Sequence, residues 1–421
     1  MEQLEKVIKS ISESIAFDSS RHAAQKGMPF GKGAYDCLCH FLSLAEEMGF
    51  AVKNYDGYAG EVTFGQGEEF AVLAHLDVVP AGSGWTKDPF GGSVCDGKIW
   101  GRGAIDDKGP ALCALYAMKA LKDKGFAPNR KIKLIVGCNE EDGWECIEYY
   151  KRHATLPRTG FSPDADFPVI YAEKGILHVL LHFPVDNAPF RELNGGTGAN
   201  MVCALCTAKP LKYDGKRAKK YRLGYLDGVL TAVGKSAHGS TPERGINAIE
   251  PILRYFGEEN AQIQRIVTCA FDDIYGLKSL CDDTGNLTLS PDIISYSNGT
   301  IDLLCDIRYP AGYICDKITA LLNQFGVPYD IVHGQAPLYQ DKNGALVQTL
   351  LSVYTECTGE EAQPVAIGGG TYARALENGV AFGPEMKDDE PVVHQADEYI
   401  SIDRVKMLLE IYEKALERLC G

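Results

Sequence analysis

Long apolar runs are missing from this sequence: none approaches the roughly 20 residues that a membrane-spanning helix needs. The opening stretch, MEQLEKVIKSISESIAFDSS, lacks the apolar core of a signal peptide. These absences argue against a membrane partner and point to the cytoplasm. Low-complexity segments and repeats of solenoid period are absent too, which excludes solenoid and compositionally biased classes. Positive charge is not in excess either. The net charge is −15, and nucleic-acid backbones select basic surfaces, so no nucleic-acid partner is expected. The acidic balance itself reads as a solvated surface and names no partner.

Cysteine is plentiful, with fourteen residues, but the spacings that give it a special role are not. Cys37 and Cys39 stand two apart. Cys203 and Cys206 form one CxxC among Met201, Val202, Ala204 and Leu205. Zinc or redox use needs a second pair or an exposed turn. Both pairs are therefore expected to be buried, helical and reduced.

What is present is ordinary globular composition, 45% hydrophobic and 24% charged. A chain of 421 residues fits two or three domains of roughly 100–200 residues each. Helical spacing of Leu4, Val7, Ile8, Ile11 and Ile15 predicts a helix over 3–16. A second helix is expected over 33–48, then strands near 51–55 and 60–64. The apolar run Phe70 to Ala74 reads as a buried strand that stops at His75. A long ordered loop follows from Val79 to Gly109, then a helix over 110–124, a strand over 131–138 and a helix over 144–153. This alternation predicts an α/β domain with a largely parallel sheet. The character changes near Gly175. A strand over 176–184 is followed by an irregular stretch, 186–225, and by a hairpin of 286–296 with 299–308 turning at Asn298-Gly299. Helices over 344–357 and 402–419 resume the first pattern. The expected architecture is a first domain made of 1–175 and 336–421, with a second, α+β, inserted as 176–335.

Five places carry chemistry. His75-Leu76-Asp77 ends a buried strand, and an aspartate near a metal-binding histidine can fix its tautomer. Asp106 and Asp107 sit just before a helix, where they could equally be caps. Glu140, Glu141 and Asp142 follow a strand end, where open α/β sheets bind ligands. Asp164 lies in SPDAD, a stretch that also suits a turn. His394 lies in the closing segment. Each alone has a plain structural explanation. Together they offer two histidines and three carboxylates in one domain, a donor set for borderline divalent ions. Glu140 is left as a general base beside a ligand.

The ordered motifs HLDVVPAG, GRGAIDDKGP, NEEDG, SPDADFP, SAHGSTPERGINA, GGGTYAR and VVHQADE resemble the di-zinc metallopeptidase family of aminoacylase, carnosinase and succinyl-diaminopimelate desuccinylase. Three of them, GRGAIDDKGP, SAHGSTPERGINA and GGGTYAR, are most similar to its peptidase V-like dipeptidases. The resemblance implies a catalytic domain over 1–175 and 336–421 with an inserted lid over 176–335. It implies that His75 and Asp164 hold one ion, Glu141 and His394 the other, and that Asp106 bridges both. Asp77 then supports His75, and Glu140 activates a bridging water. The resemblance also implies that His238 stabilises the oxyanion. Asn200, Arg308, Gly369, Gly370 and Thr371, with Gly368, grip the substrate, Arg308 through a C-terminal carboxylate. The implied ions are zinc or manganese, and the implied partner is a small peptide. A lid shorter than that of peptidase V leaves monomer and homodimer both open. The activity implied is a dipeptidase; a deacylase of N-acyl amino acids and a non-catalytic binding protein are the alternatives.

Overall fold

The computed structural model describes residues 2–421. The chain divides into two compact units. The first comprises residues up to Tyr171 with Gln340–Val365 and Gly370–Gly421; the second comprises Ala172–Tyr339 with Ala366–Gly369.

The first unit is built on a mixed sheet. The order of its first six strands runs Ala51–Tyr55, Ala59–Phe64, Arg130–Gly137, Glu68–His75, Thr159–Ser162, Asn378–Ala381. The last four of these strands are mutually parallel, while the first two form an antiparallel edge. The central strand Glu68–His75 is buried from Phe70 to its end. An unbroken apolar run suits a parallel strand covered on both faces. Helix Lys108–Asp123 packs against Glu2–Ile15 and the closing helix Ile402–Cys420. Leu112, Cys113, Leu115, Tyr116, Met118 and Leu121 of that helix are all buried, so its apolar surface runs all round, as an interior helix requires. The long loop contains a small hairpin, Ser93–Cys95 with Lys98–Trp100, joined by Tyr399–Ser401.

The second unit is an antiparallel sheet with two helices on one face. The strand order is Gly224–Leu226, Val229–Val233, Leu205–Pro210, Phe190–Gly195, Thr288–Ser297, Thr300–Tyr309, Gly175–Pro184, Tyr329–Gln335. Helices Ile249–Gly257 and Ala261–Ala270 share a core with the inward residues of these strands. The hairpin turns at Asn298-Gly299, with Ser297 paired to Thr300.

Two expectations are corrected here. Residues 186–225 are not irregular: they supply strands Phe190–Gly195 and Leu205–Pro210, helix Gly215–Lys220 and strand Gly224–Leu226. A register shift between Phe190 and Glu192 breaks the two-residue alternation that reveals a strand in sequence. The basic cluster forms the short helix, whose start Asp214 caps by accepting from Lys216 N and Arg217 N. Cys203 and Cys206 are buried but not helical; Cys206 lies in a strand and Cys203 just before it. Among the described residues, no helix is long and apolar enough to cross a membrane.

Candidate metal centre

Three adjacent parallel strands deliver the centre at their carboxyl ends, where open α/β sheets place ligands. His75 is the last residue of Glu68–His75. Glu140 and Glu141 follow Arg130–Gly137, and Asp164 follows Thr159–Ser162. Asp106 precedes helix Lys108–Asp123, joined to Asp107 by a cis peptide bond. His394 comes from the closing segment with a left-handed backbone, φ 62°.

These side chains converge on Asp106. Its Oδ1 lies 3.0 Å from His75 Nε2, and its Oδ2 lies 2.9 Å from His394 Nε2. His394 Nε2 is also 3.0 Å from Glu141 Oε1, and His75 Nε2 is 3.6 Å from Asp164 Oδ2. Two sets of donor atoms lie close enough together to hold a cation: His75 with Glu140 and Asp164, and His75 with Asp106 and Glu141. Glu140 thus stands within ligand range of the cluster.

The electrostatics reflect burial of many acids. Burial pushes the Glu141 carboxyl up to about 7, with the nearby Asp106 adding to the rise. Burial likewise raises Asp107, whose Oδ2 accepts from the His75 amide at 3.1 Å. Burial works against a charged His394, yet its bonds to Asp106 and Glu141 lift the imidazole to about 11.

Asp77 contacts His75 and both glutamates. His75 Nδ1 lies 3.0 Å from the Asp77 backbone carbonyl and 3.5 Å from its carboxylate. The Asp77 carboxylate also accepts from the amides of Glu140, at 3.0 Å, and Glu141, at 3.1 Å.

Sequence reasoning passed over three supports. Buried Glu398 accepts from the amides of Ile105, at 3.1 Å, and Asp106, at 3.4 Å, and takes Arg102 Nη1 at 2.7 Å. Trp144 Nε1 donates to Glu140 Oε1 at 3.1 Å. Tyr372, in edge contact with both His75 and Trp144, bonds Cys146 Sγ at 2.6 Å. Arg102 and Glu398 both lie inside the quoted motifs, and that placement was the available signal.

The remaining candidates fall largely in the second unit. Gly239 N donates to Asn200 O at 2.7 Å, and Met201 pairs with His238, so Asn200 and His238 are neighbours. Ser240 N donates to His238 Nδ1 at 3.1 Å. Arg308 is buried and reaches the Gly368 carbonyl at 3.1 Å. The glycine loop straddles the division, with Gly368 and Gly369 in the second unit and Gly370 and Thr371 in the first. Thr371 Oγ1 accepts from Ala373 N and caps the short helix Tyr372–Ala375.

Residues 71–418 match the model of peptidase family M20/M25/M40. The Beta-Ala-Xaa dipeptidase of Lactobacillus delbrueckii subsp. lactis is 34% identical, over 98% of this chain and 96% of its own. Among solved structures, human carnosine dipeptidase 1 superposes with a TM-score of 0.60 at 13% identity, over 99% of this chain and 96% of its own. The di-peptidase Dug1p of Saccharomyces cerevisiae gives 0.61 at 13%, over 99% and 97%. On the length of the family match and the identity of the relative, this chain belongs to peptidase family M20/M25/M40.

Proposed function

We propose that this chain is a dipeptidase that uses two divalent metal ions to cleave dipeptides bearing a free C-terminal carboxylate. The observation that carries the reading is the Asp106 carboxylate, which turns one oxygen to His75 and the other to His394. A carboxylate so placed suits a bridge between two cations, one flanked by His75 and Asp164, the other by His394 and Glu141. The donor set is mixed nitrogen and oxygen, which fits zinc or manganese. A cation would also relieve the mutual repulsion of these buried acids. Ions bound there would polarise the scissile carbonyl and acidify a water for attack.

Glu140 is the base in this reading. It takes a proton from the attacking water and passes it to the departing amine. The Trp144 indole holds Oε1 and leaves Oε2 for that exchange. His238 is the proposed oxyanion donor. Its Nδ1 accepts from the Ser240 amide, which keeps the ring proton on Nε2, the donor an oxyanion needs. Asn200 and the glycine loop line the substrate, and Arg308 takes its carboxylate. The proposed compartment is the cytoplasm, since fourteen cysteines suit a reducing environment. The proposed assembly is a monomer or a homodimer.

The test is amino-acid release from matched dipeptides and N-acyl amino acids, using apo-protein reconstituted with zinc or manganese. Release from dipeptides is expected. Release from N-acyl amino acids alone would make the chain a deacylase, and release from neither would make it a binding protein.

A further inference from the structure

Asp306 and Arg308 stand two residues apart on strand Thr300–Tyr309, so both side chains leave the same face of the sheet. Leu303, Cys305 and Ile307 alternate with them and enter the apolar core. Asp306 is completely buried, and Arg308 is 4% exposed. Arg308 Nε donates to Asp306 Oδ1 at 2.7 Å, and Nη2 donates to Oδ2 at 2.9 Å. Nη1 donates to the Gly368 carbonyl.

A guanidinium has five N–H groups in one rigid plane. Asp306 takes the side-on pair, and Gly368 takes one N–H of Nη1. One N–H remains on each terminal nitrogen, and a carboxylate can accept such a pair end-on. The Asp306 carboxylate is itself confined. A Cβ on Gly239 would lie 2.2 Å from Asp306 Oδ2, so that oxygen backs onto the residue after His238. His178, paired with Asp306 across the strands, keeps Nε2 3.7 Å from Oδ1. That exceeds hydrogen-bond length, so His178 does not take the carboxylate from Arg308.

We propose that Asp306 is a positioning residue for substrate recognition: it fixes the plane of Arg308 and reserves the end-on N–H pair for the C-terminal carboxylate of a dipeptide. This rests on the reading of Arg308 as the carboxylate-binding residue. An ordinary buried ion pair would only hold the sheet together. A positioning residue also sets how well the protein tells a carboxylate from an uncharged group of the same size.

The experiment compares a dipeptide with its C-terminal amide on the full-length, metal-reconstituted protein. The ratio of their kcat/KM values reads carboxylate recognition. Arg308→Ala tests the underlying reading and should bring the ratio close to one; a wild-type ratio there overturns the Arg308 assignment itself. Asp306→Asn tests the proposal. It places an amide N–H where a carboxylate oxygen met the guanidinium. KM for the dipeptide should rise about 10-fold with kcat little changed, while kcat/KM for the amide holds within about threefold. With Arg308→Ala collapsed, a wild-type ratio in Asp306→Asn overturns the proposal. So does an equal loss on both substrates, which is what a purely structural role gives. If Asp306→Asn does not fold, Asp306→Glu keeps the charge and displaces the guanidinium by one methylene. The same rise in KM is then expected, and an unchanged ratio overturns the proposal.

Discussion

Burial would protonate the Asp106 carboxyl, yet His394 and His75, each bonded to one of its oxygens, hold it well below the ordinary carboxylate range. Glu140, in the same cluster, goes the other way: burial raises it well above the ordinary value, and the nearby His75 only partly offsets this. Two acids of one site thus have opposite tendencies, which fits the distinct tasks proposed for them. Glu140→Ala should keep both ions and lower kcat by about 10²–10⁴-fold, the usual contribution of a general base. Metal analysis alongside single-turnover kinetics checks this. A variant that keeps most of its turnover removes Glu140 from the role. The residue scale also shows what a sequence conceals. His75, Asp106, Glu141, Asp164 and His394 were legible as a group because each lies in a motif that carries the family resemblance, and His75, Glu141 and Asp164 also sit at or just after strand ends. Asp306 was not, because a buried acid and a solvated acid are the same letter. Glu398 was overlooked for the same reason, and its partner Arg102 with it, although each sits among quoted motif residues.

At the scale of elements, the parallel core was legible from apolar runs of the right length bounded by turn residues. The strands between 186 and 225 were not, since a bulge erases their alternation. One pairing in the second unit has a pH-dependent prediction. On strand Gly175–Pro184, His182 Nδ1 meets Asp302 at 2.6 Å, and its Nε2 meets Asp330 at 3.2 Å. The bond to Asp302 is the main cause that raises the His182 pKa, with Asp330 adding to it. A raised folded pKa stabilises the protonated form. The contribution is therefore complete below the unfolded value, about 6.5, and disappears as pH climbs through the folded one. His182→Gln should reduce hydrogen-exchange protection in strand Tyr329–Gln335 at about pH 6, with the gap to wild type closing by about pH 9. A gap that is the same at both values means that the ion pair adds nothing there.

At the scale of the molecule, all five proposed ligands lie in the first unit, and the second contributes none of them. Ions that bind only the folded form stabilise it by about 2.7 kcal/mol at one hundred times their dissociation constant. Chelation should then lower the unfolding midpoint of the first unit by several degrees, at about 2–4 °C per kcal/mol. Exchange protection within the second unit's apolar core should stay as it was. Calorimetry and exchange with and without chelator make the comparison, and an unmoved midpoint after complete metal removal means the ions are not linked to folding.

The division of the first unit into separate stretches of chain also bears on synthesis. A ribosome releases His75, Asp106, Glu141 and Asp164 first, then the continuous body of the second unit, and only afterwards His394. The sheet strand Asn378–Ala381 and the closing helix arrive equally late. A nascent chain therefore carries a crowded set of acids without their last imidazole for most of its elongation. On the proposed ligand set, a chain stopped anywhere before residue 394 lacks one of its five ligands and is expected to be inert.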